Sequence, residues 1–144
     1  MLTPTAIGTV RFAYGTPMLG RGERNQVDKI RVLVCGGRDF DNESLVFGAL
    51  DQIEAEMGPL VIIEGGARGA DSLAALWADA RGAHHLQFKA DWQKHGKGAG
   101  LIRNQTMLDD GKPDLVVGFP GGVGTADMLR RAKAAGIPVI EGNA

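Results

Sequence analysis

The sequence predicts an α/β fold in which a doubly wound parallel sheet of about five strands carries helices on both faces. Short apolar runs alternate with segments whose apolar residues repeat every three or four positions, the patterns of buried strands and amphipathic helices. Glycine supplies 22 of the 144 residues, about 15% and twice the usual share of about 7%. The glycines cluster where the predicted strands end, and doubly wound sheets bind ligands at that edge.

Length and composition exclude several classes of function. A chain of 144 residues forms one domain. Its 16 basic and 17 acidic side chains leave a formal net charge of -1, so no overall basic field favours nucleic acid. No apolar run approaches the roughly 20 residues of a membrane span, and residues 1–20 lack the pattern of a secretory signal. With Cys35 as the single cysteine, no intrachain disulfide forms, and we expect a cytoplasmic protein without a membrane partner.

The first 29 residues form a separate segment in this prediction. Glycine and proline interrupt the segment around one short alternating stretch, residues 10–14, so we expect a partly ordered extension with at most an edge strand. The regular pattern starts at residue 30, and the predicted domain spans residues 30–144.

Strands and helices alternate through the domain, with connections long enough for crossovers between parallel strands. Asp41 or Asn42 caps the first predicted helix and Asp71 caps the second. Pro138 cannot donate to a ladder hydrogen bond and therefore places the last strand at an edge of the sheet. The predicted strands cover residues 30–35, 60–64, 84–88, 114–119 and 137–140, and the predicted helices cover about 42–57, 71–80, 99–108 and 125–135.

Three of the predicted strand-to-helix turns are rich in glycine. Glycine lets a ligand approach the backbone, and a helix N-terminus offers unpaired N–H groups to an anion. Tight turns also need glycine without any ligand, but three such turns at one sheet edge favour a phosphate-binding or nucleotide-binding site. The candidate residues in these turns are Gly36, Gly37, Arg38, Asp39, Gly65, Gly66, Arg68, Gly69, Asp71, Gly121, Gly122, Gly124 and Thr125.

Both arginines of these turns have two open explanations. Arg38 and Arg68 can each hold a phosphate with two parallel N–H donors. Alternatively, they form surface ion pairs with Asp39 or Asp71, which contribute little to stability.

A polar segment at residues 90–100 is predicted to lie over the same edge of the sheet. Trp92 either stacks on a base or anchors the segment to the core. His95 is a candidate acid, base or phosphate donor, with a solvated loop histidine as the alternative. Lys97 and, in the following helix, Arg103 and Asn104 complete the set of candidate binding residues.

Standard cofactor motifs are missing from the sequence. It contains no G-x-x-x-x-G-K-[ST], which argues against a Walker-type ATPase, and no G-x-G-x-x-G after the first strand, which argues against an ordinary NAD site. His84 and His85 look like strand residues without a functional role. No group of carboxylates and histidines has metal-ligand spacing, so the sequence predicts neither a metal nor a cofactor.

Four ordered motifs carry a family resemblance: VCGGRDF at 34–40, GGARGADSLA at 65–74, ADW with HGK at 90–97, and IRN at 102–104. Together they resemble the YspA-like, YpsA-related branch of the SLOG superfamily, and the resemblance extends from about residue 30 to the C-terminus. It implies a Rossmann-like fold. The superfamily includes the Lonely Guy phosphoribohydrolases, the DNA-processing protein DprA and members that bind nucleotides or nucleotide-derived signals.

The segment PGGVGT at residues 120–125 is similar to the start of the Lonely Guy motif P-G-G-x-G-T-x-x-E. Met128 stands at the position of the motif's glutamate, and Arg103 is similar to an upstream arginine of those enzymes. A carboxylate stabilises the oxocarbenium-like state of N-glycosidic cleavage, and methionine cannot replace it. Asp127 lies one residue earlier, about 100° around a helix, and would need a shifted helix start to take that role.

Three functions remain open from the sequence. The first is binding of a nucleotide or nucleotide-derived small molecule through the glycine-rich turns. The second is hydrolysis of the glycosidic bond of a nucleoside 5′-monophosphate, with Arg103 and Asp127 as candidate catalytic residues and Asp39 or Asp71 as other candidate carboxylates. The third, DprA-like binding of single-stranded nucleic acid, is disfavoured by the balanced charge. The resemblance also implies a homodimer or a higher even-numbered assembly.

Overall fold

Five strands and five helices make up residues 29–142, the part of the chain that the computed structural model describes. The predicted stretch at residues 10–14 lies outside this range. The strands are β1 (Ile30–Cys35), β2 (Leu60–Glu64), β3 (His84–Gln87), β4 (Leu115–Gly118) and β5 (Val139–Glu141). The helices are α1 (Glu43–Met57), α2 (Ala70–Arg81), α3 (Trp92–His95), α4 (Ala99–Gly111) and α5 (Val123–Ala134), with a 3₁₀ turn at Gly96–Gly98 between α3 and α4.

The strands form one parallel sheet in the order β3-β2-β1-β4-β5. This confirms the predicted doubly wound α/β class, and β5 lies at an edge as Pro138 indicates. The chain moves outward from β1 to β3 on one side and then returns to β4 on the other side of β1. The strand order therefore reverses between β1 and β4, and such a switch point is where open α/β sheets bind ligands.

Alternating side chains of the central strands enter two separate cores. Val32 and Val34 pack with α1 and α2 on one face of the sheet, whereas Leu33 and Cys35 pack with α4 and α5 on the other. All four side chains are buried, because β1 lies between two strands and between two helical layers. No helix within residues 29–142 is long and apolar enough to cross a membrane.

The predicted caps have different outcomes. Asn42 does cap α1, since its Oδ1 accepts the N–H of Leu45 at 3.0 Å. The prediction for Asp71 is wrong, because α2 begins at Ala70 and its cap is Gly69. Gly69 has a φ of 75°, and a Cβ there would lie 2.1 Å from the carbonyl oxygen of Gly37. Only glycine fits this position, so the carboxylate of Asp71, two residues later, is available for other contacts.

Candidate functional site

The turns after β1 and β4 are joined to each other at the switch point. Cys35 accepts the N–H of Phe119 at 2.9 Å, and Pro120 accepts the N–H of Gly37 at 2.9 Å. A cavity of about 470 Å³ opens beside them. Its walls come from these two turns, the start of α2, the α3 segment and α4. The cavity, called the main cavity below, therefore lies where the sheet topology predicts a ligand.

The glycines of the turn after β4 differ in what surrounds them. A Cβ on Gly121 would lie 2.3 Å from Thr125 Oγ1 and 2.6 Å from the backbone nitrogen of Gly37, so packing alone requires glycine there. A Cβ on Gly122 or Gly124 would meet nothing within 4 Å, and neither residue has a positive φ. Packing and backbone geometry therefore do not explain these two glycines, and both line the main cavity.

The N-terminus of α5 is exposed to the cavity without a capping side chain. Gly122 is its cap residue, and its first turn holds no acidic residue. The first N–H groups of a helix have no partner inside the helix and carry about half a positive charge together. Thr125, which lines the same cavity, adds a hydroxyl. This arrangement suits an anion such as a phosphate group.

Arg103 reaches from α4 to the turn after β2. Its Nη1 donates to the carbonyl of Gly65, and its Nε donates to Oδ1 of Asn104 at 3.2 Å. A Cβ on Gly65 would lie 2.5 Å from Nη1, so glycine lets the guanidinium lie against the turn. Burial lowers the pKa of Arg103, but the group keeps its charge at neutral pH. Within residues 29–142 its Nη2 donates no hydrogen bond, which leaves that group for a ligand.

Three more of the predicted residues line the main cavity. The guanidinium of Arg38 lies 5.5 Å from the ring centre of Trp92, a cation–π contact that holds both side chains at the rim. Arg38 has no ion pair among the described residues. Lys97 from the 3₁₀ turn lines the same space. With Arg103, three cations line the main cavity. Within residues 29–142, Asp71 is the one carboxylate in its lining, so the positive charges exceed the negative charge.

Comparisons with known proteins agree with this arrangement. Residues 30–95 match the family described as YAcAr, the YspA, cpYpsA-related SLOG family. Gene 61 protein of Mycobacterium phage D29 is 41% identical over 118 residues, which cover 76% of this chain and 94% of that protein. The chain belongs to the YspA, cpYpsA-related SLOG family. The resemblance read from the four sequence motifs is thereby confirmed.

Solved structures show the same fold as this SLOG protein. TM1055, a structural genomics target, superposes with a TM-score of 0.59 at 19% identity, covering 76% of this chain and 72% of its own. MurG of Acinetobacter baumannii superposes with a TM-score of 0.52 at 14% identity, over 79% of this chain and 35% of MurG. The Rossmann-like fold and the SLOG family together support ligand binding in general.

The position of the Lonely Guy glutamate lies in the core of this SLOG protein. Met128 is fully buried among apolar side chains on the α4–α5 face. Asp127 does not line the main cavity. Its carboxylate accepts Nε of Arg131 at 2.7 Å and Nδ2 of Asn104 at 3.1 Å. Burial acts to raise the pKa of Asp127, but these hydrogen bonds outweigh it and hold the pKa below its ordinary value. Asp127 therefore joins α4 to α5 as an anion.

Asn104 belongs to the same network. Its Nδ2 donates to the carbonyl of Gly124 at 3.1 Å as well as to Asp127. Since its Oδ1 accepts from Arg103, the side chain connects the turn after β2 with the start of α5. In this structure Asn104 lines the cavity and positions the groups on either side of it.

Asp71 is the carboxylate that the SLOG fold places at the main cavity. Its Oδ2 accepts the N–H groups of Gly65 at 3.0 Å and Ala67 at 3.3 Å. Its Oδ1 accepts no hydrogen bond within residues 29–142. Burial raises the pKa of Asp71 to about 6, and the charge of Glu64 acts in the same direction. Burial also raises the pKa of Cys35, to about 12, so its thiol is unreactive at neutral pH.

The raised pKa of Asp71 predicts a pH dependence of stability. The folded-state pKa of about 6 exceeds the ordinary 3.8, so ionisation disfavours folding and stability falls as the pH rises from about 4 to 6. Asp71→Asn removes this titration. We expect the unfolding free energy of the variant, relative to wild type, to rise by about 2–3 kcal/mol between pH 4 and pH 7 in urea titrations. A difference that stays constant with pH would contradict this prediction.

Other predicted residues lie away from the main cavity. Arg68 and Asp39 form an ion pair of 3.7 Å with side chains 78% and 101% exposed, the alternative left open by the sequence. His95 lines a separate small cavity of about 140 Å³ with Asp91 and Thr106. Among the described residues, no three histidine, cysteine, aspartate or glutamate side chains are grouped to hold a metal ion.

Two features near the site were not predicted from the sequence: the polar network around Glu64 and the apolar side chains at the rim of the main cavity. Glu64 is fully buried and accepts Nε2 of His85 at 2.5 Å and Nε2 of Gln87 at 2.8 Å, so His85 has a structural use. A carboxylate that ends an apolar strand was a signal for such a network. Val123 and Leu101, which are 83% and 39% exposed, give the main cavity apolar walls. No sequence pattern marked them.

Proposed function

We propose that the protein binds a nucleotide or a nucleotide-derived small molecule in the main cavity. The observation that carries the proposal is the uncapped N-terminus of α5, where Gly122 and Gly124 face the cavity although packing requires glycine at neither position. A side chain there would occupy the space in front of the helix N–H groups. Because glycine has no side chain, positions 122 and 124 leave room for an anion, and the backbone N–H groups can hold it.

The other walls of the main cavity suit the remaining parts of a nucleotide. Arg38, Lys97 and Arg103 supply positive charge beside the helix N-terminus. Leu101 and Val123 supply apolar surface, which with the ring of Trp92 suits a flat base. A volume of about 470 Å³ lies in the range of small-molecule sites.

A panel of nucleotides tests this function. The four ribonucleoside 5′-monophosphates, their di- and triphosphates and inorganic phosphate are added to the protein, and the melting temperature is measured. A ligand at 100 times its Kd stabilises the fold by about 2.7 kcal/mol, which raises Tm by several degrees for a domain of this size. If no nucleotide raises Tm more than inorganic phosphate does at equal ionic strength, the proposed function is wrong.

One observation supports glycosidic hydrolysis as a second function. Asp71 lines the cavity with a free carboxylate oxygen and a pKa of about 6, which suits a proton donor near neutral pH. The same nucleotide panel, analysed by chromatography for free base, tests this candidate. Base release that wild type catalyses and Asp71→Asn does not would support hydrolysis. Binding without base release would leave a binding function alone.

We also propose a homodimer or higher even-numbered assembly. Leu101 and Ile102 are partly exposed on α4, and Val123 is exposed at the start of α5, so these neighbouring helices present apolar surface. Light scattering at micromolar concentrations is expected to give a mass of at least twice 15.2 kDa. A particle of 15.2 kDa at every concentration would show a monomer.

A further inference from the structure

A second cavity of about 410 Å³ lies beside the main cavity, over the turn after β2. Arg38, Trp92 and Arg103 line both spaces, so the two cavities share one wall. Gly66 and Lys89 line only the second. Lys89 follows β3 by two residues, which brings it to the same sheet edge as the glycine-rich turns.

The lining of the second cavity is cationic. Arg38, Arg68, Lys89 and Arg103 contribute to its walls, and no carboxylate does. Within residues 29–142, Lys89 and Arg38 have no ion pair, and the pair of Arg68 is long and exposed. Glu64, the carboxylate before the turn, is fully buried and held by hydrogen bonds. Four cations around a space that is lined by no carboxylate of the described residues suit a second anionic group.

The two cavities differ in their apolar content. Leu101, Met107 and Val123 line the main cavity, whereas the second has only alanines and the ring of Trp92 besides its polar groups. A base therefore fits the main cavity, and a charged group without a base fits the second. The stacked Arg38 and Trp92 stand between the two positions.

We propose that the two cavities form one bipartite site for a nucleotide that carries two phosphate groups attached at separate positions. Nucleoside 3′,5′-bisphosphates and dinucleotides have this chemistry. One phosphate contacts the N-terminus of α5, and the other contacts Arg68 and Lys89, while Arg103 contacts both. The proposal rests on nucleotide binding in the main cavity.

Calorimetric titration at constant ionic strength tests the bipartite site. The ligands are the 5′-monophosphates, 5′-diphosphates and 3′,5′-bisphosphates of the four ribonucleosides, together with the 5′-phosphorylated dinucleotides. A bisphosphate or a dinucleotide is expected to bind at least about tenfold more tightly than the matching monophosphate, because it gains charge-assisted hydrogen bonds. The compound with the larger gain in affinity, the bisphosphate or the dinucleotide, shows which of the two ligand types the site takes.

Two lysine variants locate the second phosphate. Lys89→Gln is expected to remove most of the gain while leaving the affinity for the monophosphate unchanged. Lys94→Gln makes the same charge change on α3. Because Lys94 lines neither cavity, this variant is expected to keep the gain in affinity.

Each other outcome has a distinct meaning. Equal affinities for mono- and bisphosphates and dinucleotides would overturn the bipartite site and leave the proposed function intact. Tighter binding of 5′-diphosphates than of bisphosphates and dinucleotides, or an equal effect of Lys89→Gln on all ligands, would also overturn it. No binding of any nucleotide would overturn both proposals.

Discussion

Gly122→Asp is expected to abolish nucleotide-induced stabilisation while leaving the fold intact. The residue caps α5, its φ of -104° is open to any side chain, and a Cβ there meets nothing within 4 Å. Aspartate is a preferred cap residue, so the unfolding free energy of the unliganded protein rises by a few tenths of a kcal/mol. The new carboxylate accepts the helix N–H groups that a phosphate would use, and it repels the ligand.

Gly122→Asn is the matched control for this change. Asparagine has the same size and caps a helix equally well, but it has no charge. We expect nucleotide affinity to fall at least about 100-fold in the aspartate variant, because a charge-assisted hydrogen bond of roughly 1.5–3 kcal/mol becomes a repulsion. The asparagine variant is expected to lose less. Thermal melts without and with nucleotide measure both quantities, and unchanged binding by the aspartate variant would exclude a phosphate at α5.

The sequence alone could place the glycine-rich turns but could not separate their purposes. Composition and strand periodicity predict all five strands and put the turns at one edge, because the side-chain pattern of buried strands is local. Gly69 and Gly121 are required by contacts with the turn after β1, which is distant in sequence. Gly122 and Gly124 have no such contacts. That distinction depends on tertiary packing, so only the three-dimensional arrangement shows which glycines leave room for a ligand.

The same limit applies to the charged residues near the sheet edge. Arg38, Lys97 and Arg103 follow recognisable motifs and line the main cavity. Lys89 follows the short, half-exposed third strand and so lies at the same edge, but no glycine-rich turn comes after that strand, and nothing in the sequence marked Lys89 as a binding residue. Asp71 was predicted to cap a helix because its local pattern fits a cap. Its two hydrogen bonds to the turn after β2 depend on how Gly69 turns the chain.

Arg103→Ala is expected to weaken nucleotide binding by roughly 1.5–3 kcal/mol, the contribution of a charge-assisted hydrogen bond. The side chain borders both cavities, and its Nη2 has no protein partner among the described residues. Arg103→Lys keeps the charge but loses the planar fork that contacts the Gly65 carbonyl and Asn104 and that would hold the proposed phosphate. We therefore expect the lysine variant to bind more weakly than wild type as well.

The control separates a ligand contact from a structural role. Arg103 also stabilises the turn after β2, so both variants are expected to lose about 1 kcal/mol of unfolding free energy with the hydrogen bond to Gly65. Arg130→Ala removes an equal charge from α5, where the guanidinium pairs with Asp127 outside the cavity. It is expected to bind nucleotide as wild type does. Calorimetric titrations beside melting curves decide the matter: lost stability with full affinity in the Arg103 variants would mean that the arginine serves the fold alone.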